Sequence, residues 1–240
     1  MMKKITYMLC ISLLVFTSCS SEADTSQNTE TSRVPKKQII YNLDNPVTID
    51  FVFDGNKIVS STHSGNYVVK YTYTGDLITK KEASDFTDEY SYTNGKLTTY
   101  LRKLPGRDYY DKYSYTYESN DVVSFVITRV TISTGAEEVI SAKNFYTLKD
   151  GNIIKYETKS SVTTYKYDNK NSPKRNILGF NKIFEEQPQV SSSVNNVTSY
   201  STTLPDNSSY TNEITYTYDD QNFPTEINYK AISFKATYSY

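Results

Sequence analysis

Along most of this chain, apolar and polar residues alternate in short runs separated by turn-forming pairs. The clearest run is Tyr90-Ser91-Tyr92-Thr93-Asn94-Gly95-Lys96-Leu97. Asn-Gly between alternating residues predicts a tight hairpin, because a type I′ turn needs positive φ at both central positions. Pairing outward from that turn sets Tyr92 opposite Leu97. It gathers Tyr90, Tyr92, Leu97 and Leu101 on one face, with Ser91, Thr93, Lys96 and Thr98 on the other. The same five-residue offset recurs at Phe53 and Ile58 around Gly55-Asn56, and at Tyr73 and Ile78 around Gly75-Asp76. It returns at Tyr117 and Val122 around Ser119-Asn120, at Leu148 and Ile153 around Asp150-Gly151, and at Tyr218 and Phe223 around Asp220-Gln221. A seventh copy, at Tyr167 and Asn169-Lys170, has Ser172 where the apolar partner is expected. A two-residue turn requires this offset of its second cross-strand pair, so one rule covers the series.

Tyr113, Tyr115 and Tyr117 share a face, as do Ile214, Tyr216 and Tyr218, while Ser114, Thr116, Thr215 and Thr217 face the other way. One apolar face and one polar face is the pattern of an antiparallel sheet solvated on one side. Ser64-Gly65-Asn66, Leu104-Pro105-Gly106 and Ser133-Thr134-Gly135 read as connections between hairpins. The predicted fold is all-β: a curled antiparallel meander of about fourteen strands, barrel-like or sandwich-like, with tyrosines on the inner wall. The alternation breaks between Ser172 and Ser209. There Ile177, Leu178, Phe180, Ile183 and Phe184, bounded by Pro173 and Pro188, predict a short helix within residues 176–186 or an apolar plug at one end. Thr225 to Tyr240 reads as one last strand, with a parity change at Lys230-Ala231 that predicts a bulge.

The start of the chain follows other rules. Lys3 and Lys4 precede an apolar run from Ile5 to Phe16, shorter than the roughly 20 residues of a transmembrane helix and flanked like a secretory signal. Phe16-Thr17-Ser18-Cys19 resembles a lipobox, the site where a bacterial leader is cut before a cysteine that is then acylated. Ser18 supplies the small residue, and Phe16 departs from the usual leucine. The resemblance implies a signal peptide over residues 1–18 and a lipidated Cys19. Residues 20–38 are polar and cannot bury enough surface to offset chain entropy, so 19–38 is expected to be a disordered tether. As a flexible coil it would hold a domain at 39–240 roughly 25 Å from a membrane. Cys10 and Cys19 are the two cysteines, so the mature chain can form no internal disulfide. Losing Lys3 and Lys4 moves the formal charge from −1 to −3, without the clustered basic face that a nucleic-acid partner requires.

Leader, tether and Tyr-x-Tyr hairpins together resemble a family of Bacteroidota lipoproteins of uncharacterised function. Tyr165-Lys166-Tyr167-Asp168 with Ser172-Pro173, Asn195-Asn196-Val197-Thr198, and Tyr216-Thr217-Tyr218-Asp219 with Phe223-Pro224 carry the resemblance. The units are also similar to the YD repeats of large toxin shells. Neither resemblance implies a catalytic residue.

Catalytic chemistry is sparse. His63 is the single histidine and sits in an expected turn; with Cys19 acylated, no zinc set of the usual composition can form. Asp85, Asp88 and Glu89 could pair as glycosidase carboxylates, though a surface acidic patch is the plainer reading. Asp219-Asp220 lacks the spaced ligands of a calcium loop. The 24 tyrosines, with no tryptophan, suit half-buried sheet surfaces, and Tyr100, Tyr109 and Tyr110 are expected off the inner face, available for contacts. The sequence therefore points to a membrane-anchored, non-enzymatic binding or scaffold lipoprotein of the cell envelope, on either face of the outer membrane. Its partner would be a glycan or an envelope protein, with no cofactor, no metal and no catalytic residue. The competing readings are a carboxylate-dependent hydrolase on the same fold and a purely structural envelope protein.

Overall fold

The computed structural model describes residues 33–41, 45–184, 193–230 and 234–240. Cys19, the leader and most of the tether lie outside the described residues. Strands β1 to β9 run Lys37–Tyr41, Val47–Asp54, Lys57–His63, Tyr67–Thr74, Leu77–Glu82, Thr87–Thr93, Lys96–Lys103, Tyr109–Tyr117 and Val122–Thr131. Strands β10 to β17 run Glu137–Val139, Asn144–Lys149, Asn152–Glu157, Val162–Tyr167, Val197–Thr203, Ser209–Tyr218, Pro224–Tyr229 and Phe234–Ser239. All pairings are antiparallel between neighbours, and β10 and β11 lie end to end along β9, filling one place in the wall. Pairing of β1 with β17, from Lys37↔Ser239 to Tyr41↔Lys235, closes sixteen places into a barrel.

The seven hairpins of the sequence account for fourteen places. The two missing from that count are β1 and β17, which pair with each other across the seam. Lys37 and Gln38 already belong to β1, so the sheet begins before the expected boundary at 39. Thr225 to Tyr240 is not one bulged strand. It is β16 and β17 folded back with Tyr229 opposite Phe234, a reversal that no Gly, Asn or Pro between them announces.

At four hairpins the five-residue rule holds residue for residue: Phe53↔Ile58, Tyr73↔Ile78, Tyr92↔Leu97 and Leu148↔Ile153. Asn94 and Gly95 have φ of 51° and 72°, as a type I′ turn requires. The poorer turn formers behave differently. Tyr117 pairs with Val123 and Tyr218 with Pro224, each one residue beyond the expected partner. Tyr167 pairs not with Ser172 but with Val197, because residues 168–196 are an excursion inserted into that hairpin.

A bulge follows the apolar partner in most copies. Thr79, Thr98, Thr198 and Thr225 are the extra residues, and each Oγ1 donates to a carbonyl of the facing strand, at 3.4, 3.1, 3.3 and 3.2 Å. Tyrosine hydroxyls tie neighbouring hairpins at the same level. Tyr92 donates to the Ile78 carbonyl at 2.7 Å, Tyr167 to Ile153 at 2.6 Å and Tyr216 to Val197 at 2.7 Å. The bulge at Thr98 also changes the parity of β7. Tyr100, expected outside, is 1% exposed on the inner wall, and Leu101 turns outward.

The interior is filled. Tyr90, Tyr100, Tyr113, Phe125, Tyr146 and Tyr156 stack in one row across adjacent places of the wall, with successive centroids 5.2, 4.7, 6.1, 5.1 and 4.9 Å apart. Against this row packs the excursion, with Ile177, Phe180, Ile183 and Phe184 all buried. It is the expected plug, and among its described residues the helical content is one 3-10 turn, Phe180–Lys182. Tyr73 and Tyr115 hold it by donating to the carbonyls of Leu178 (3.1 Å) and Phe184 (2.6 Å).

Candidate functional site

The two ends of the barrel differ. The tight hairpin turns and the plug occupy one end. Arg33 and Tyr240 meet there as well, with the guanidinium 5.2 Å from the ring centre and 2.7 Å from Asp219. Longer connections ring the other end, the mouth. At that level the inner wall changes from aromatic to charged, because Asp88 lies on the parity of Tyr90 and Tyr92, and Asp111 on that of Tyr113, Tyr115 and Tyr117.

The register then lines up a ladder. Lys81 faces Asp88, Asp88 faces Arg102, Arg102 faces Asp111, Asp111 faces Arg129, and Arg129 faces Glu138. Six charges of alternating sign thus run across strands β5 to β10, each directly opposite the next on the inner face. The Arg129 guanidinium meets Asp111 with two bonds, at 2.9 and 3.2 Å, and stands 4.0 Å from the Tyr109 ring centre. Asp88, 2% exposed, accepts from the Tyr100 hydroxyl at 3.1 Å with Lys81 at 3.9 Å. Phe86, in the connection between β5 and β6, lies within cation-π distance of both Lys81 (5.7 Å) and Arg102 (5.3 Å). Tyr67 donates to Asp85 at 2.5 Å, and burial together with that carboxylate pushes its hydroxyl up to about 12. His63, the last residue of β3 rather than part of a turn, meets the Tyr67 ring edge-on at 5.5 Å, and burial lowers its pKa.

The acidic cluster of the sequence is therefore divided. Asp85 sits at the mouth, Asp88 inside, and Glu89 outside against Lys103 at 2.7 Å. Asp88 and Asp111 sit two strands apart, about 10 Å, with Arg102 between them. A hydrolase would need a solvated cleft between two such groups, and here the barrel interior beneath them is packed with tyrosine rings. Asp219 holds a turn, accepting from the N–H groups of Gln221 and Phe223 at 2.9 Å each, as well as pairing with Arg33. Of the tyrosines expected to be free for contacts, Tyr100 is core. Tyr109 stacks on Arg129, and Tyr110 lies 5.9 Å from the Lys103 ammonium on the outer face. Among the described residues no three metal-ligating side chains converge.

At the plug end Asp168 gathers the insertion. It accepts from the backbone N–H groups of Lys170 (2.9 Å) and Asn196 (3.1 Å), from the Asn196 side chain, and from the Tyr218 hydroxyl. A cavity of about 110 Å³ beside this knot is lined by Gln38, Lys174, Tyr216, Tyr229 and Tyr238. Two of the polar contacts on its wall are internal: Gln38 donates to the Tyr238 hydroxyl at 2.8 Å and Tyr216 donates to the Val197 carbonyl. A groove of about 270 Å³ between the turns at 120–121 and 149–151 and the plug is lined by Asp121, Lys149, Lys182 and Phe184 among others.

No family model and no curated protein matches the sequence. Among solved structures, the chain is similar to a porin-like protein from Bacteroides uniformis. The TM-score is 0.51 and the identity 14%, over 85% of this chain and 96% of that one. At that identity the likeness concerns the fold alone: this chain is a sixteen-place antiparallel β-barrel.

Proposed function

We propose that the chain is an outer-membrane lipoprotein held by an acylated Cys19, whose barrel stands in water as a non-enzymatic binding or scaffold module. The polarity of the wall carries this reading. A barrel that spans a membrane turns an apolar band about 25 Å tall toward lipid and keeps its interior polar. Here the order is reversed. Lys70, Thr72, Thr74, Ser91, Thr93, Thr164, Lys166, Glu213, Thr215 and Thr217 face outward and are exposed, while tyrosine, isoleucine and phenylalanine fill the centre. Outer-face ion pairs such as Lys235–Glu226 (2.6 Å) and Lys155–Glu157 (2.9 Å) belong in water. A porin-like likeness fits an outer-membrane address, and the lipobox-like Cys19 supplies a means of attachment that strands of this polarity do not.

Globomycin-sensitive palmitate labelling of wild type and Cys19→Ala, followed by alkaline extraction of membranes, tests the proposal. Labelling should depend on Cys19, and residues 20–240 exported behind an ordinary cleavable leader should appear in the soluble fraction. That unlipidated chain, if it stayed in the membrane through alkaline extraction, would mean that the strands themselves insert, and the reading would fail. Protease shaving of intact cells then separates a surface-exposed from a periplasmic barrel.

A further inference from the structure

The barrel wall is complete everywhere among the described residues except beside β10. Ile140 N–H donates to Ile127 (2.9 Å) and Thr131 N–H to Ala136 (2.9 Å), so residues 136, 138 and 140 turn their backbone groups toward β9. By the alternation of an antiparallel strand, Glu137 and Val139 point theirs the other way. No described strand lies there. The next strand, β12, pairs with β11 on this side and β13 on the other and ends at Glu157, and the Thr158-to-Ser161 hydrogen bond (2.9 Å) turns the chain back below the level of β10. This stretch also exposes large apolar side chains: Val139 is 66% exposed, Ile132 58% and Ile140 41%. An unpaired edge beside exposed apolar side chains is a template for strand addition.

The charge ladder says what should fit. Its alternation, positive at Lys81 through negative at Glu138, ends on the edge strand itself. Glu137, by contrast, is already matched on the outer face by Lys112 at 2.6 Å. We infer that β10 is a docking strip for an extended segment of a partner protein, carrying one lysine or arginine flanked by apolar residues. The basic side chain adds the next rung opposite Glu138 on the inner face. Its neighbours pack on the outer face against Val139. This rests on the reading of the barrel as a binding module and does not depend on the lipid, so its failure and that of the anchor are read in different assays.

The test uses the full chain purified in detergent and two fluorescein-labelled peptides, Ser-Thr-Thr-Val-Lys-Val-Thr-Thr-Ser and the same sequence with glutamate for lysine. Fluorescence anisotropy should show the lysine peptide binding at least ~10-fold more tightly. Val139→Pro removes only the outward N–H, which an edge strand tolerates, and should weaken binding by at least ~10-fold with the near-ultraviolet circular dichroism unchanged. Glu138→Lys should reverse the preference between the peptides, and this variant decides the matter if Val139→Pro does not fold. Equal affinity for both peptides, or no reversal in Glu138→Lys, would overturn the inference. So would a Val139 amide protected from hydrogen exchange in the free protein, or a dimer that Val139→Pro dissociates, since the edge would then already be covered by this chain or a second copy.

Discussion

Gly179 offers a controlled way to weigh the plug. It has φ of 78°, and a Cβ there would meet Asp76 O and Ile78 N at 2.9 Å each, both backbone atoms of the β4–β5 hairpin. Gly95 has φ of 72° with nothing within 4 Å. The two glycines therefore share a left-handed backbone and differ in the space beside them. Gly95→Ala should cost only the backbone term, about 1–2 kcal/mol. Gly179→Ala carries the same term plus an overlap that rigid backbone cannot relieve. The plug must lift, loosening the seats of Phe180 and Ile183 and the Leu178 N–H bond to Asn56 at 3.0 Å. Adding about 1–3 kcal/mol for overpacking gives a total of about 2–5 kcal/mol. Gly151→Ala, whose Cβ would meet only the Val194 methyls at 3.1 Å, should fall between them. Urea unfolding measures all three, and unchanged m-values would show that folded and unfolded states keep their exposure. If Gly179→Ala and Gly95→Ala agree within about 0.5 kcal/mol, the argument that the plug is seated on the hairpin backbone is wrong.

Three further expectations use other parts of the barrel. Tyr92→Phe takes a hydrogen bond from the carbonyl of buried Ile78 and should cost about 1–2 kcal/mol, whereas Tyr210→Phe, on a 53% exposed residue, should be neutral; urea midpoints compare them. Asp88→Ala removes a buried carboxylate from between Lys81 and Arg102 and should cost about 3–5 kcal/mol, against under about 1 kcal/mol for Glu89→Ala outside, and equal losses would refute the buried ladder. Burial pushes the Tyr167 hydroxyl from 10.0 up to about 12. Its folded pKa lies above the unfolded value, so its contribution is complete below pH 10 and is lost as pH rises through about 12, roughly 2–3 kcal/mol in all. Tyr167→Phe should flatten the alkaline fall in thermal midpoint, and an identical pH profile would count against this assignment.

What the sequence made legible was everything that depends on neighbours in the chain. Asn94-Gly95 and its kin encode tight turns, and Tyr92↔Leu97 follows from turn length alone. The bulges were not legible, because an extra threonine looks like one more outward residue. Alternation alone therefore puts Tyr100 outside, whereas the bulge turns it inward. The missing apolar partner at Ser172 marked the place where the chain leaves the sheet, but not that Val197 would resume the pairing. The ladder had a readable signal, since Asp88 and Asp111 interrupt the inner parity of tyrosines. Its assembly was not readable, because it requires the register of six strands at once. Nothing local reveals that Lys37 and Ser239 become partners.

That last pairing bears on how the molecule can be made. About 200 residues separate Lys37 from Ser239, and closing such a loop costs roughly 2.6 kcal/mol more than closing ten residues. The hairpins between can form as the chain emerges, each closing over a few residues, but the ring has no clasp until Phe234–Ser239 has appeared. Until then the sheet has two open edges, each able to recruit another copy. A chain cut after Tyr229 should accordingly be recovered as oligomers by light scattering, and a folded monomer of that length would refute the dependence on the clasp. Assembly of this barrel is thus a race between completing the chain and meeting a second one. The final strand decides that race by converting a reactive sheet into a closed surface.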